Sequence, residues 1–196
     1  ITGAGNTRHS SVHVWSRAEA NRMRYALNLE GNSSEFSTSH FEGAYSAVAR
    51  IAGDYNSFDP SCKFYAAWNG RTLLLAGSAF GNRVRGTLLG PGSGRPDSVG
   101  VVVDGSAVGY NDIDILSYSQ DAGTVSFVAG SQGNWWRIRG YQGDGPIYTG
   151  TPNVNDRMDF VVDGNADVAG QKSPDIKALV VFNGTGANGE PCEIFS

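Results

Sequence analysis

The sequence predicts an all-β chain that folds as a parallel β-solenoid, in which short strands stack turn upon turn. Short runs of alternating apolar and polar residues end in glycine, an asparagine follows, and this unit recurs every 22–29 residues. Glycine accounts for 27 of the 196 residues and charged residues for only 17%, a composition that disfavours long helices. Units of this length bury their apolar side chains by stacking on their neighbours.

Glycine and asparagine mark the corners of the predicted turns, because both tolerate the left-handed backbone region that tight corners need. The corner residues are Gly31, Gly53, Gly77, Gly105 and Gly130, with Asn32, Asn56, Asn82, Asn111 and Asn134. Beyond residue 140 the spacing blurs, since residues 147–155 and 160–164 both fit a sixth unit. A last unit follows at residues 180–188, so we predict about seven rungs.

The chain divides into three predicted segments. Residues 25–145 form the rungs, residues 146–196 form irregular last rungs or a C-terminal cap, and residues 1–24 form an N-terminal segment. Ser16 and Glu19 have the spacing of a helix capping box. This spacing predicts a short helix over residues 17–24, which either covers the open end of the solenoid or simply connects to it.

Alignment of the units predicts two interior columns, because a strand period of 2 places recurring apolar residues on one face. Two residues before the glycine stand Leu29, Ile51, Leu75, Val103, Val128, Val162 and Phe182. Two residues after the asparagine stand Ser34, Phe58, Val84, Ile113 and Trp136. One residue further on, the charges alternate in sign and predict a structural ladder of Asp59, Arg85, Asp114 and Arg137.

The position next to the first column changes from polar to apolar along the chain. It is occupied by Asn28 and Arg50 in the early units and by apolar residues in the later ones. An apolar stripe on an outward face usually marks association. We therefore predict a homo-oligomer, a side-by-side trimer, through Leu74, Val102, Phe127 and Val161.

Charge, hydropathy and cysteine spacing exclude several classes of partner and bond. A net charge of −4 argues against nucleic acid. No apolar run reaches the roughly 18 residues of a membrane helix, and residues 1–20 lack a signal-peptide core, so we expect no membrane insertion. Because the chain begins at Ile1, we expect a processed product or a fragment.

Cys62 and Cys192 are separated by five rungs, on the order of 24 Å, which is too far for an intrachain disulfide.

Rungs of this length, with glycine corners, an asparagine turn and loops rich in tryptophan and tyrosine, resemble the right-handed parallel β-helix of phage tailspikes and tail fibres, within the wider pectate-lyase-like class. The resemblance covers about residues 25–190. It implies a trimer on the virion surface that folds in the host cytoplasm and recognises bacterial surface polysaccharide or supports the fibre. Two alternatives stay open. The chain could belong to a polysaccharide depolymerase, either a glycoside hydrolase or a lyase, or it could be a lectin-like or capsid β-sandwich (jelly roll).

The residues that could act on a glycan are exposed aromatics and paired carboxylates. Sugar rings stack on aromatic faces, and the candidates are Tyr55, Tyr110, Trp135, Trp68 and Tyr141, with packing under loops or between subunits as the alternative. Glycoside hydrolysis needs two carboxylates about 5–10 Å apart, and the candidates are Asp112, Asp114, Asp54 and Asp59, with solvated or ladder roles as the alternative. Whether the chain is an enzyme stays open, and we expect it to bind a glycan rather than to cleave one. We expect no cofactor and no metal, since His9 and His13 share a face only on a helix and the surrounding residues look extended.

Overall fold

A computed structural model of the chain describes residues 4–15, 23–65, 71–90, 99–105, 107–118, 123–128, 131–141, 148–150, 155–163 and 177–182. Within these ranges the chain is all-β. The strands are β1 (Ala4–Ser10), β2 (His13–Val14), β3 (Tyr25–Leu29), β4 (Asn32–Ser37), β5 (His40–Glu42), β6 (Ala47–Ile51), β7 (Ser57–Phe58), β8 (Lys63–Tyr65), β9 (Arg71–Ala76), β10 (Arg83–Leu89), β11 (Val99–Asp104), β12 (Val108–Gly109), β13 (Asp112–Tyr118), β14 (Gly123–Phe127), β15 (Ser131–Gln132), β16 (Trp135–Tyr141), β17 (Tyr148–Gly150), β18 (Arg157–Asp163) and β19 (Lys177–Phe182).

The strands form a parallel β-solenoid, as the repeat predicts. The larger sheet runs in the order β1-β4-β7-β10-β13-β16-β18-β19, with β2, β5 and β8 in a branch beside it, and the smaller runs β17-β14-β11-β9-β6-β3. Every pairing between these strands is parallel, which excludes the antiparallel β-sandwich. The main paths contain eight and six described strands.

The two predicted interior columns form the core, with corrections at four units. Leu29, Ile51, Leu75 and Val103 are in register and fully buried. The next member is Phe127, because β14 ends one residue earlier than the spacing predicts, and Val128 is 61% exposed. In the second column Phe36, and not Ser34, lies opposite Phe58. The predicted members Val162 and Phe182 lie in β18 and β19, which belong to the larger sheet.

A ladder of buried asparagines runs along the corner before the larger sheet. We call Asn56, Asn82, Asn111 and Asn134 the asparagine ladder; each is 1% exposed. The backbone N–H and the Nδ2 of each of the first three donate to the Oδ1 of the next, at 2.8–3.0 Å. Asn134 donates in the same way to the buried carboxylate of Asp156. The ladder therefore satisfies polar groups in the core that would otherwise be costly.

Asn32 was predicted as the first corner asparagine, and this is wrong. Glu35 pairs with Ser57, so the residue opposite Asn56 is Ser34, whose backbone N–H donates to Asn56 Oδ1 at 2.9 Å. Asn32 is exposed and accepts a hydrogen bond from the backbone of Asp54. The sixth unit, which the sequence leaves ambiguous, contains β17 in the smaller sheet and β18 in the larger, with Asp156 at the corner.

The apolar stripe predicted for a trimer is already covered within one chain. Leu74 and Val102 point outward in register with Arg50, but they are 5% and 3% exposed in a small second cluster with Ala47 and Ala76. Phe127 is not part of the stripe, because the one-residue shift turns its side chain into the core. Val161 lies in β18, and its side chain is outside the described residues. The trimer remains a prediction.

The predicted helix over residues 17–24 lies mostly outside the described residues, and Met23 and Arg24 are not helical. The solenoid begins before this segment, because β1 and β2 pair in parallel with β4 and β5. No helix in the part of the chain that the structure describes is both long and apolar enough to cross a membrane.

We predict that Cys62 is chemically inert in the folded chain. Its thiol is free and buried, and burial is the main cause that raises its pKa to about 11. In the unfolded chain the thiol returns to a pKa near about 8.5, and thiolate is the reactive form. Iodoacetamide at mildly alkaline pH is therefore expected to modify Cys62 in urea and to leave it unmodified in buffer, as read by peptide mass spectrometry. Equal modification in both conditions would contradict its burial. Because Cys192 lies outside the described residues, the extent of Cys62 modification in urea serves as the reference for complete reaction.

Candidate functional site

Three aromatic side chains line the solenoid corner that precedes the asparagine ladder. We call Tyr55, Phe80 and Tyr110 the aromatic ridge. The rings of Tyr55 and Phe80 are 5.9 Å apart between centroids, and those of Phe80 and Tyr110 are 5.1 Å apart. Tyr55 and Tyr110 are 61% and 63% exposed. Two of the predicted sugar-stacking residues therefore lie on one surface, on either side of Phe80.

The backbone under the ridge holds the two tyrosines in an unusual conformation. Tyr55 and Tyr110 have φ values of 56° and 53°, which are left-handed and unfavourable for a bulky residue. The residues at the same corner in the following turns are Gly81 and Gly133. A Cβ atom on Gly81 would lie 2.8 Å from the Tyr55 ring, so that glycine leaves room for the tyrosine to lie across it. This arrangement keeps the rings exposed and fixes their positions.

The outer face of the larger sheet, beside the ridge, carries a lattice of charges. Two outward columns define what we call the charged face: Arg83, Asp112, Trp135 and Arg157 in one, and Arg85, Asp114, Arg137 and Asp159 in the other. The predicted charge ladder is confirmed for Arg85, Asp114 and Arg137, and Asp159 extends it. Because Asp112 follows Tyr110 by two residues, this face and the ridge adjoin.

Asp112 and Asp114 point to the same side of β13, as predicted, and both are engaged by arginines. The guanidinium of Arg137 lies 2.5 Å from Asp112 Oδ1 and 3.6 Å from Asp114 Oδ2. Asp112 also contacts Arg83 at 3.4 Å, and Arg139 reaches Asp114 at 3.7 Å. A general acid in glycoside hydrolysis typically occupies an apolar pocket. The surroundings of this pair are the opposite, and they fit ladder roles better than catalysis.

Trp135 lies within the charged face rather than on an open platform. The guanidinium carbons of Arg137 and Arg157 lie over its ring, 4.3 and 4.9 Å from the centroid. Its Nε1 donates to Asp159 Oδ2 at 3.0 Å, and 37% of the residue is exposed. Because cations cover the ring, Trp135 is better suited to orienting the arginines than to stacking on a sugar.

Asp54 and Asp59, the other predicted carboxylate pair, have separate structural roles. Asp54 Oδ1 accepts a hydrogen bond from the Phe80 backbone at 3.2 Å and so supports the ridge. Burial by itself raises the pKa of Asp59, but hydrogen bonds from the hydroxyl and backbone N–H of Ser61 reverse this, and the net pKa is lowered. Asp59 therefore stabilises the turn after β7 as a carboxylate.

The remaining candidates lie partly beyond what the structure describes. Trp68 is outside the described residues, and so is the side chain of Tyr141, whose backbone forms the end of β16. Sequence reasoning missed Phe80, because the residue aligned with the tyrosines in its turn is Gly81. The pairing of Tyr55 with the Phe80 backbone, at 2.9 Å between N and O, places the aromatic ring one residue earlier.

Comparison with known proteins identifies a phage relative. The chain is 28% identical over 174 residues to "Depolymerase 1, capsule K8-specific" of Klebsiella phage K5-4. That alignment covers 80% of this chain and 23% of the relative, so the chain spans about a quarter of the protein it matches. No protein-family model and no solved structure matches. The parallel solenoid and this phage relative together bear out the resemblance to a tailspike-like β-helix.

Proposed function

We propose that the chain is a glycan-recognising domain of a virion-associated tailspike-type protein, and that bacterial capsular polysaccharide is its ligand. The observation that carries the proposal is the aromatic ridge, where two exposed tyrosines with strained, left-handed backbones lie along one corner of the solenoid. Strain of this kind is often maintained at functional sites. The capsule-specific relative supports the ligand class.

The charged face defines which glycans the ridge would accept. Three arginine side chains remain largely open to solvent: Arg83 at 58%, Arg139 at 65% and Arg157 at 62%. A guanidinium binds a carboxylate through two parallel hydrogen bonds. We therefore propose a polysaccharide with uronate or other acidic sugars, whose neutral rings stack on Tyr110 and Tyr55 while the carboxylates pair with these arginines.

Binding to purified capsular polysaccharides tests this function, measured by titration calorimetry or biolayer interferometry. Each Tyr→Ala change in the ridge is expected to weaken binding about two- to tenfold, since an aromatic stack contributes about 0.5–1.5 kcal/mol. The double variant of Tyr55 and Tyr110 is expected to show both losses. Tyr45→Ala is the matched control, because Tyr45 is equally exposed, at 56%, but lies between β5 and β6 at another corner.

Two outcomes would contradict the proposal. One is the absence of binding to every polysaccharide in a panel that includes the capsule of the bacterium that the phage infects. The other is that the ridge variants bind with the same affinity as Tyr45→Ala. Raising the salt concentration to about 1 M, where the Debye length is about 3 Å, is expected to weaken the binding of acidic glycans. Release of reducing ends in the same reactions would favour the depolymerase alternative.

A further inference from the structure

A second cluster of chemically active side chains lies at the early turns, away from the ridge. The short strands β2, β5 and β8 pair in parallel and place His13, His40 and Lys63 in one column. Glu42 follows His40 by two residues, so its side chain lies on the same face. His13 is four residues from His9 in the sequence, but His9 lies on β1 and stacks against Phe36.

The geometry brings three metal-binding groups together. The rings of His13 and His40 stack with their centroids 4.7 Å apart and their planes 9° apart. Glu42 Oε2 lies 3.4 Å from His40 Nε2, and one ligand atom from each residue falls within 4.8 Å of the others. His40 Nε2 is shielded from solvent and makes no hydrogen bond, while the Tyr65 ring packs edge-on against the imidazole at 4.6 Å.

We propose that His13, His40 and Glu42 bind a divalent transition metal of the zinc class. Two imidazoles and one carboxylate are a donor set that Zn²⁺ uses at sites with a fourth, open position. A shared ion about 2.0–2.1 Å from each donor requires the ligand atoms to approach one another further. His13 is exposed and lies near the N-terminal end of the stack, so its side chain has room to turn toward His40.

Bound metal would join the first turn of the solenoid to the second. His13 belongs to β2 and the other two ligands to β5, so one ion would cross-link these strands. Glu42 balances part of the added charge, whereas Lys63, next in the column, opposes it. Because imidazoles bind a metal as neutral ligands, Glu42 is the one ligand of the three that offsets the charges of the ion and of Lys63.

Titration of the chelator-treated, untagged chain with ZnCl₂ tests the proposal. The expected result is one Zn²⁺ per chain, a higher melting temperature with Zn²⁺, and a visible absorption band of four-coordinate Co²⁺ when CoCl₂ replaces zinc. His13→Ala and Glu42→Gln are each expected to weaken Zn²⁺ binding about tenfold or more. Because His13 is exposed, its variant tests the site even if His40→Ala fails to fold.

His9→Ala is the matched control, since it removes a histidine that lies outside the cluster. It is expected to bind Zn²⁺ as the unaltered chain does. The proposal is overturned if the unaltered chain takes up no stoichiometric Zn²⁺, in which case the cluster is only a histidine stack beside a carboxylate. It is equally overturned if His9→Ala loses as much affinity as His13→Ala.

Discussion

Replacement of Asn111 by alanine is expected to lower the free energy of unfolding by about 2–6 kcal/mol, because two buried polar groups lose their acceptor at about 1–3 kcal/mol each. The side chain makes four buried hydrogen bonds. Its Oδ1 accepts from the backbone and the Nδ2 of Asn82, and its Nδ2 donates to Ala79 O and Asn134 Oδ1. Alanine leaves the backbone N–H of Asn82 and one of its two Nδ2 hydrogens without a partner in the core, although Nδ2 still donates to Gly53 O.

Urea unfolding followed by circular dichroism measures this loss. Asn32→Ala is the control, because Asn32 resembles a corner asparagine in sequence but is exposed and outside the ladder. Its expected cost is below about 1 kcal/mol, the value of one solvent-accessible hydrogen bond. Similar losses for the two variants would show that the ladder does not stabilise the corner.

Replacement of Trp136 by alanine is expected to cost about 3–5 kcal/mol, the usual range for emptying a buried aromatic site. Trp136 is 0% exposed and packs edge-on against Phe127, with ring centroids 5.5 Å apart. Its Nε1 is buried and makes no hydrogen bond. Phenylalanine keeps much of the volume and removes this unsatisfied donor, so Trp136→Phe is expected to cost distinctly less than Trp136→Ala.

Thermal and urea unfolding of both variants, beside Trp135→Ala, measures the difference. Trp135 is the adjacent residue on the same strand, but its side chain points to the solvent face and is 37% exposed. Its truncation is expected to cost about 1 kcal/mol, from lost contacts with Arg137 and Arg157. An equal cost at positions 135 and 136 would contradict the assignment of the two faces of β16.

The periodicity of the sequence predicts the solenoid and most of its core, but it does not fix the register of individual turns. Leu75 and Val103 occupy the predicted column, whereas Phe127 replaces Val128 and Phe36 replaces Ser34. Register depends on the hydrogen bonds between strands, while spacing along the chain also counts residues that loop out at the corners. A one-residue error reverses the face of a side chain, which is why Phe127 was placed on the outer stripe.

The candidate site was predictable where one residue type recurs at one corner position. Tyr55 and Tyr110 both precede a ladder asparagine, so the alignment finds them. Phe80 and His40 belong to their clusters only because neighbouring turns stack, and no spacing within one unit shows this. The guanidinium groups over Trp135 come from its own strand and from β18, and only the register places Arg157 beside it.

The hydrogen bonds of the asparagine ladder stay the same although the number of residues per turn varies. From Ser34 through the four ladder asparagines to Asp156, consecutive residues are 22, 26, 29, 23 and 22 positions apart, yet each backbone N–H donates to the next Oδ1 at 2.6–3.0 Å. Residues added to a turn therefore lie outside the strands and the ladder. We expect such a scaffold to tolerate insertions and deletions at its corners while the stack of strands is preserved.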